Sequence, residues 1–299
     1  MHRAKTICLA ALLSAVAQAA EPPPNYAREG QKALNYVAAA VKFGPRPAGS
    51  AAQAKQQAWI IAELKKSGAT VEEVDFMSYT PLGPKRMKNI IGKFAGSSGK
   101  NVVISGHYDT FSRAGLNFVG ANDGGSSTGA LLALAGMMKG RTLRDGVWLT
   151  FFDGEESAVE WKGNDHTYGS RRLADMWQRD GSAKSIKAII NLDMIGDSDL
   201  SIHYEGYSTP WLRDLVVGVA HRLGYTDEFQ SGPIQYIADD HVEFTERGMP
   251  AVDLIDFNYG LMNRHWHKES DTLDKLSARS LAVVLQVIDE SLKELAQRP

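Results

Sequence analysis

The sequence predicts an α/β fold: one domain with a mixed, mostly parallel central sheet and helices on both faces. Three observations carry this expectation. Short apolar runs rich in β-branched and aromatic residues alternate with stretches of helical periodicity along the chain. Neither an internal repeat nor an interior linker divides the 299 residues. Several of the apolar runs stop at Asp, His or Glu, and in open α/β sheets ligands gather beyond the carboxyl ends of the strands.

The first segment is read as a targeting signal. His2, Arg3 and Lys5 precede an apolar run from Thr6 to Val16, and Ala17-Gln18-Ala19 offers small residues for a signal peptidase. A run of that length is too short for a permanent membrane span. Residues 1–19 are therefore expected to be a signal peptide cleaved after Ala19, with the mature protein secreted or periplasmic. Cys8 leaves with it, so the mature chain has no cysteine. That excludes disulfides, thiolate metal ligands and a cysteine nucleophile. A chain of about 280 residues can still hold together by core packing. Removing Arg3 and Lys5 from the 33 basic side chains leaves 31 against 35 acidic ones, a formal charge near −4. With no basic stripe, nucleic acid is not an expected partner. No second apolar run reaches membrane-spanning length, so no membrane partner is expected once the signal is gone.

The elements follow in order. Glu21 to Pro24 is proline-rich, and residues 20–28 are read as a mobile leader to a catalytic domain over 29–299. A helix over 29–41 places Leu34, Val37 and Val41 on one face, ending at the turn-forming Phe43-Gly44-Pro45-Arg46-Pro47. Ser50 reads as the N-cap of a second helix reaching Lys66, stopped by Gly68. Strands are predicted at 71–76, 89–94 and 101–105, the last running into Gly106-His107-Tyr108-Asp109. After the glycine-rich loop 120–125 comes a helix over 126–139, then a buried parallel strand at 147–152. A helix over 168–178, a strand at 186–192 ending at Asp193, a helix near 210–223, a strand at 251–255 and a closing helix at 278–296 complete the chain.

The strand at 147–152 organises the site. It stops at Asp153-Gly154, followed by the adjacent carboxylates Glu155 and Glu156. Neighbouring residues on such a turn point different ways, so one can bind a metal while the other faces substrate. His107, Asp193 and, after the last strand, His267 also follow strands, and Asp123 opens the helix after the first of them. Each has an ordinary alternative: a loop histidine, a helix cap, a surface acid. Taken together they fall at one edge of one sheet. Carboxylates and imidazoles without thiolates suit Zn²⁺ at a catalytic site with an open position. Asp109, two residues past His107, could accept the other ring N–H and fix its tautomer. His265 and His267 lie on the same side of an extended segment, so spacing does not choose between them.

Gly106-His107-Tyr108-Asp109, Gly120-Ala121-Asn122-Asp123, Gly154-Glu155-Glu156, Leu192-Asp193-Met194-Ile195-Gly196 and Trp266-His267 with Asp271-Thr272, in this order, resemble the secreted zinc exopeptidases with co-catalytic metals. That family includes the animal-type glutaminyl cyclases, and the resemblance spans nearly the whole mature chain. Several stretches are similar to the cyclase branch. They are Phe76 to Gly83 with Asn89-Ile90-Ile91, Trp161 and Asp165 before Tyr168-Gly169-Ser170-Arg171, and Asp239-Asp240-His241 with Phe244 and Gly248-Met249-Pro250. Asn122-Asp123-Gly124-Gly125-Ser126 and Asp271-Thr272 look more like the aminopeptidases, Ala238 replaces a side chain that is often polar in cyclases, and the loop from Asp256 to His265 is a few residues longer.

The resemblance implies a zinc aminopeptidase/glutaminyl cyclase-like fold. His107, Asp123 and Asp193 would form one metal site, and Asp123, Glu156 and His267 the other, with Asp123 bridging. One zinc or two fit these residues. Glu155 would be the general base, Asp239 would tune its proton transfer, and Trp161 and Trp266 would wall a small substrate pocket. The implied activity is conversion of an N-terminal Gln of a peptide to pyroglutamate with release of ammonia. The alternative is hydrolysis of N-terminal residues by a metallo-aminopeptidase. Peptide or protein N-termini are the expected substrates in both.

Overall fold

In the computed structural model, residues 20–298 are described; the segment 1–19, read above as a signal peptide, lies outside them. A six-stranded sheet forms the centre, in the order β1(Thr70–Thr80)-β2(Gly83–Phe94)-β4(Gly146–Phe152)-β3(Asn101–His107)-β5(Ile186–Asp193)-β8(Ala251–Ile255). The last four strands are parallel to one another, while β1 and β2 form an antiparallel hairpin whose second strand pairs with β4. The mixed, mostly parallel sheet of the sequence reading is present.

Helices α1(Pro24–Ala40), α2(Ala51–Lys66), α3(Gly125–Met138), α5(Pro210–Arg222) and α7(Ala278–Gln297) share one large apolar cluster with the sheet. A smaller cluster joins α4(Tyr168–Asp180) and α6(Asp240–Thr245) to the other side through Leu173, Trp177 and Phe244. The strands β3, β4, β5 and β8 are buried along nearly their whole length, as expected for parallel strands covered on two faces. Among the described residues, no helix is long and apolar enough to cross a membrane.

Three differences from the sequence reading have physical causes. Helix α1 starts at Pro24, within the stretch 20–28 read as a leader. Pro at the first helical turn needs no N–H partner, and the buried Tyr26 hydroxyl donates to Asp289 at 2.7 Å, tying this turn to α7. The strands predicted at 71–76 and 89–94 extend until they meet in one hairpin, because Pro81 and Leu82 make a tight turn before Gly83 at φ 100°. Pro84 is accommodated because β2 pairs with β4 only over residues 90–94. The short elements β6(Ile202–Glu205), β7(Phe229–Gln235) and α6 have no counterpart in the sequence reading. β6 and β7 pair only with each other, and β7 carries Gly232-Pro233, which reads as a loop.

Candidate metal centre and cleft

Strand register sets the level of the site. His107 at the end of β3 is the partner of Phe152 at the end of β4, and Asp193 at the end of β5 is the partner of Ile255 in β8. All four strands therefore deliver their following residues to one edge. The loop before α3 adds Asp123, and the loop after β8 adds His267.

The two triads expected from the sequence are both assembled. His107, Asp123 and Asp193 offer ligand atoms within 4.8 Å of one another, as do Asp123, Glu156 and His267. Asp123 is divided between them. Its Oδ1 is 3.2 Å from His107 Nε2, and its Oδ2 is 3.4 Å from His267 Nε2. His107 Nε2 is also 3.2 Å from Asp193 Oδ1, and His267 Nε2 is 3.2 Å from Glu156 Oε2. The alternative that Asp123 caps α3 does not hold. Gly124, in the left-handed region at φ 74°, is the N-cap, and no side chain caps the helix. A side chain at Gly124 would also meet the Asp109 carbonyl oxygen at 2.4 Å. His265 is not in either triad; its Nδ1 lies 2.8 Å from Ser270 Oγ.

The buried electrostatics fit a divalent cation. Asp123 Oδ2 and Glu156 Oε2 are inaccessible and have no hydrogen-bond partner among the described residues. Burial, with repulsion from Asp123, pushes Glu156 up to about 7 against the pull of His267. Burial raises Asp193 to about 6, with Asp239 adding repulsion and His107 opposing it. Such a group of acids resists ionising together in a low-dielectric site unless a positive charge joins it. Oxygen and imidazole donors without sulfur suit Zn²⁺ at a catalytic position.

Glu155 lines one cleft with Asp123, Glu156, Asp193 and His267. Burial holds its carboxyl well above the usual range; the attraction of His107 opposes this, while Glu156, Asp239 and Asp240 add repulsion. The cleft has a volume of about 260 Å³. Trp161, Trp266, Ile237, Ala238, Ile255 and Phe257 supply its apolar walls, and Asp239 adds a further carboxylate. Among the described residues, no Lys or Arg lines it. Asp239 also caps α6 by accepting from the Asp240 N–H, and Asn191 donates to it at 3.2 Å. The cap and the cleft position thus coexist.

Several residues support the site through partners that the sequence reading did not give. Asp109 does not make the expected hydrogen bond to His107, since its Oδ1 is 3.6 Å from Nδ1. Its two oxygens instead accept the N–H groups of Glu155 and Glu156, at 3.1 and 3.3 Å, so it holds the turn that carries the Glu pair. Asp271 likewise accepts from the N–H groups of Asn122 and Asp123, at 2.8 and 3.2 Å. The fully buried Arg46 donates to the carbonyls of Gly44, Val119 and Gly120, fixing the start of the Asp123 loop. Asp165 accepts from the N–H groups of Ala158, Val159 and Glu160, which shapes the loop bearing Trp161. An acid close to these loops can be singled out in the sequence, but which N–H groups it serves cannot.

Residues 89–291 match Peptidase family M28. The glutaminyl-peptide cyclotransferase of Drosophila melanogaster is 28% identical over 272 residues, covering 81% of this chain and 76% of the fly protein. The glutaminyl cyclase of an Acidobacteriales bacterium has a TM-score of 0.87 at 34% identity, covering 97% of this chain and 100% of that one. A Zn-dependent exopeptidase from Parabacteroides distasonis has a TM-score of 0.78 at 25% identity, over 90% of this chain and 98% of that one.

Proposed function

The chain belongs to peptidase family M28 and is an enzyme, and from that footing we propose that it is an exported, zinc-dependent glutaminyl-peptide cyclotransferase. It converts an N-terminal Gln of a peptide or protein to pyroglutamate and releases ammonia. Its similarity to cyclotransferases in sequence and structure supports this reading. The observation that carries it is the placement of Glu155: buried, with a raised pKa, in an apolar-walled cleft beside the Asp123, Glu156 and His267 ligand atoms.

Asp123, Glu156 and His267 would hold zinc, with His107 and Asp193 completing a second position that shares Asp123. When bound, zinc supplies Lewis acidity toward the γ-carbonyl oxygen of the substrate Gln. The acid-lined cleft without Lys or Arg favours an amino terminus over a carboxylate, and the terminus reacts as the neutral amine. Glu155 accepts a proton from the α-amine as its nitrogen forms a bond to the γ-carbonyl carbon. It returns that proton to the amide nitrogen as the carbon–nitrogen bond breaks, and ammonia departs. A carboxyl that must both take and give a proton works best with its pKa raised, and Asp239 contributes to that rise. Trp161 and Trp266 hold the Gln side chain folded toward its own amine and exclude water, whose attack would yield Glu in place of the ring.

A second reading, a zinc aminopeptidase, is favoured by one observation: both ligand triads are complete. Glu155 would then take a proton from water attacking the first peptide bond. Product mass separates the two. A Gln-initiated peptide that loses ammonia and keeps every residue supports cyclisation; release of free amino acids from it overturns cyclisation in favour of hydrolysis.

A further inference from the structure

His267 sits in a stack of aromatic rings. The Phe111 ring lies 4.1 Å from its imidazole with the planes 2° apart, and the Trp266 ring lies 4.2 Å away at 23°. Two rings stacked that closely cannot share one face of an imidazole, so Phe111 and Trp266 sandwich it. Phe118, fully buried, meets its edge at 5.9 Å and also braces Phe111 in an edge-on contact. Trp266 lines the cleft, whereas Phe111 does not, and Phe111 belongs to neither hydrophobic cluster. Core packing therefore does not account for an aromatic residue at position 111.

The backbone adds a reason for such a clamp. His267 has φ 52°, in the left-handed region that non-glycine residues rarely occupy. Strain of this kind persists where the surroundings over-determine the geometry. Here the ring must aim Nε2 at Glu156 and at Asp123 Oδ2, 3.2 and 3.4 Å away.

We propose that Phe111 is a positioning residue for the metal centre, clamping His267 against Trp266 so that the imidazole is already aimed when the cation arrives. The stack acts in two ways. It removes rotational freedom that the ring would otherwise lose on binding. It also places aromatic faces against an imidazole that carries part of the cation's charge once liganded, an arrangement the ring quadrupoles favour. The inference rests on the metal-binding reading of His267 and is independent of whether the reaction is cyclisation or hydrolysis.

The test measures zinc affinity by competition with a chromophoric chelator on metal-stripped protein, in wild type, Phe111→Leu, Phe111→Met, Phe111→Tyr and His267→Ala. Removing a group that orients a metal ligand typically weakens binding about 10-fold or more. Phe111→Leu and Phe111→Met are expected to show that loss, and Phe111→Tyr, which keeps the ring, to bind like wild type. Thermal unfolding of the metal-stripped Leu and Met variants is expected to stay close to wild type. Wild-type affinity in both variants overturns the clamp, as does a lowered unfolding temperature with zinc affinity unchanged. If wild type takes no zinc, or His267→Ala binds as wild type does, the metal reading itself has failed.

Discussion

Replacing Asp109 by Asn tests how the Glu155-Glu156 turn is held. The carboxylate is fully buried and accepts one N–H with each oxygen. An Asn amide has a single acceptor oxygen, so one N–H is left facing an NH₂ group. A buried donor left without a partner costs about 1–3 kcal/mol. Part of this is offset, because Asp109 is a leading source, after burial, of the repulsion that lifts Asp153 to about 7. The lower half of the range, about 1–2 kcal/mol, is therefore expected. For a chain of this size that is a fall in Tm of about 2–8 °C. The effect on turnover should be larger in proportion. A shift of about 1 Å in a catalytic group can lower the rate about 100-fold, and the lost bond is on the backbone of the proposed base or of its neighbour. Thermal unfolding and steady-state ammonia release from a Gln-initiated peptide measure the two quantities. A variant that melts and turns over like wild type would refute the role given to Asp109.

Three further outcomes are expected. Glu155→Gln should lower turnover by about 10²–10⁴ with zinc content unchanged, whereas Glu156→Ala should lose metal; near-normal turnover in Glu155→Gln would mean that another group moves the proton. Burial pushes Asp256 up to about 7, against the hydrogen bonds it accepts from the N–H groups of Asn258 and Ser201. An unfolded Asp titrates near 3.9, so its stabilising contribution is complete below about pH 4 and is lost as pH rises through about 7. Asp256→Asn keeps only one acceptor oxygen and does not titrate. The Tm gap between wild type and this variant should therefore narrow from about pH 5 to about pH 8, and a widening gap would contradict the assignment.

Much of the site could be read from the chain because parallel strands are written as continuous apolar runs, and the residue that ends each run is placed by register rather than by long-range detail. His107 and Asp193 are the last residues of β3 and β5, and the Glu pair follows β4 by one turn. Spacing alone does not choose between His265 and His267; the resemblance named His267. Two residues on the same side of one segment differ only in what their rings reach: Ser270 for one, and Asp123 with Glu156 for the other. Residue type also says nothing about how a buried acid is used. Asp109 and Asp165 could be recognised as candidates, yet their partners are backbone N–H groups, which carry no sequence signature. The β6–β7 pair was missed because its strands are short and one contains a Gly-Pro step. Phe111 was missed because a lone aromatic in a loop resembles any other until the ring beneath it is known.

The contact between α1 and α7 has a consequence for how the molecule is made. Gly30 of α1 approaches α7 so closely that an added Cβ would lie 2.2 Å from the Ala278 carbonyl oxygen. Tyr26 reaches Asp289 across 263 positions of sequence. This side of α1 is therefore roofed only once α7 is in place. A product cut short before residue 278 lacks α7 and leaves Tyr26 and Gly30 without the partners they have in it. Contacts this distant in sequence are entropically expensive to form and slow folding, so the folding chain keeps this seam open until α7, twenty residues long, docks on it.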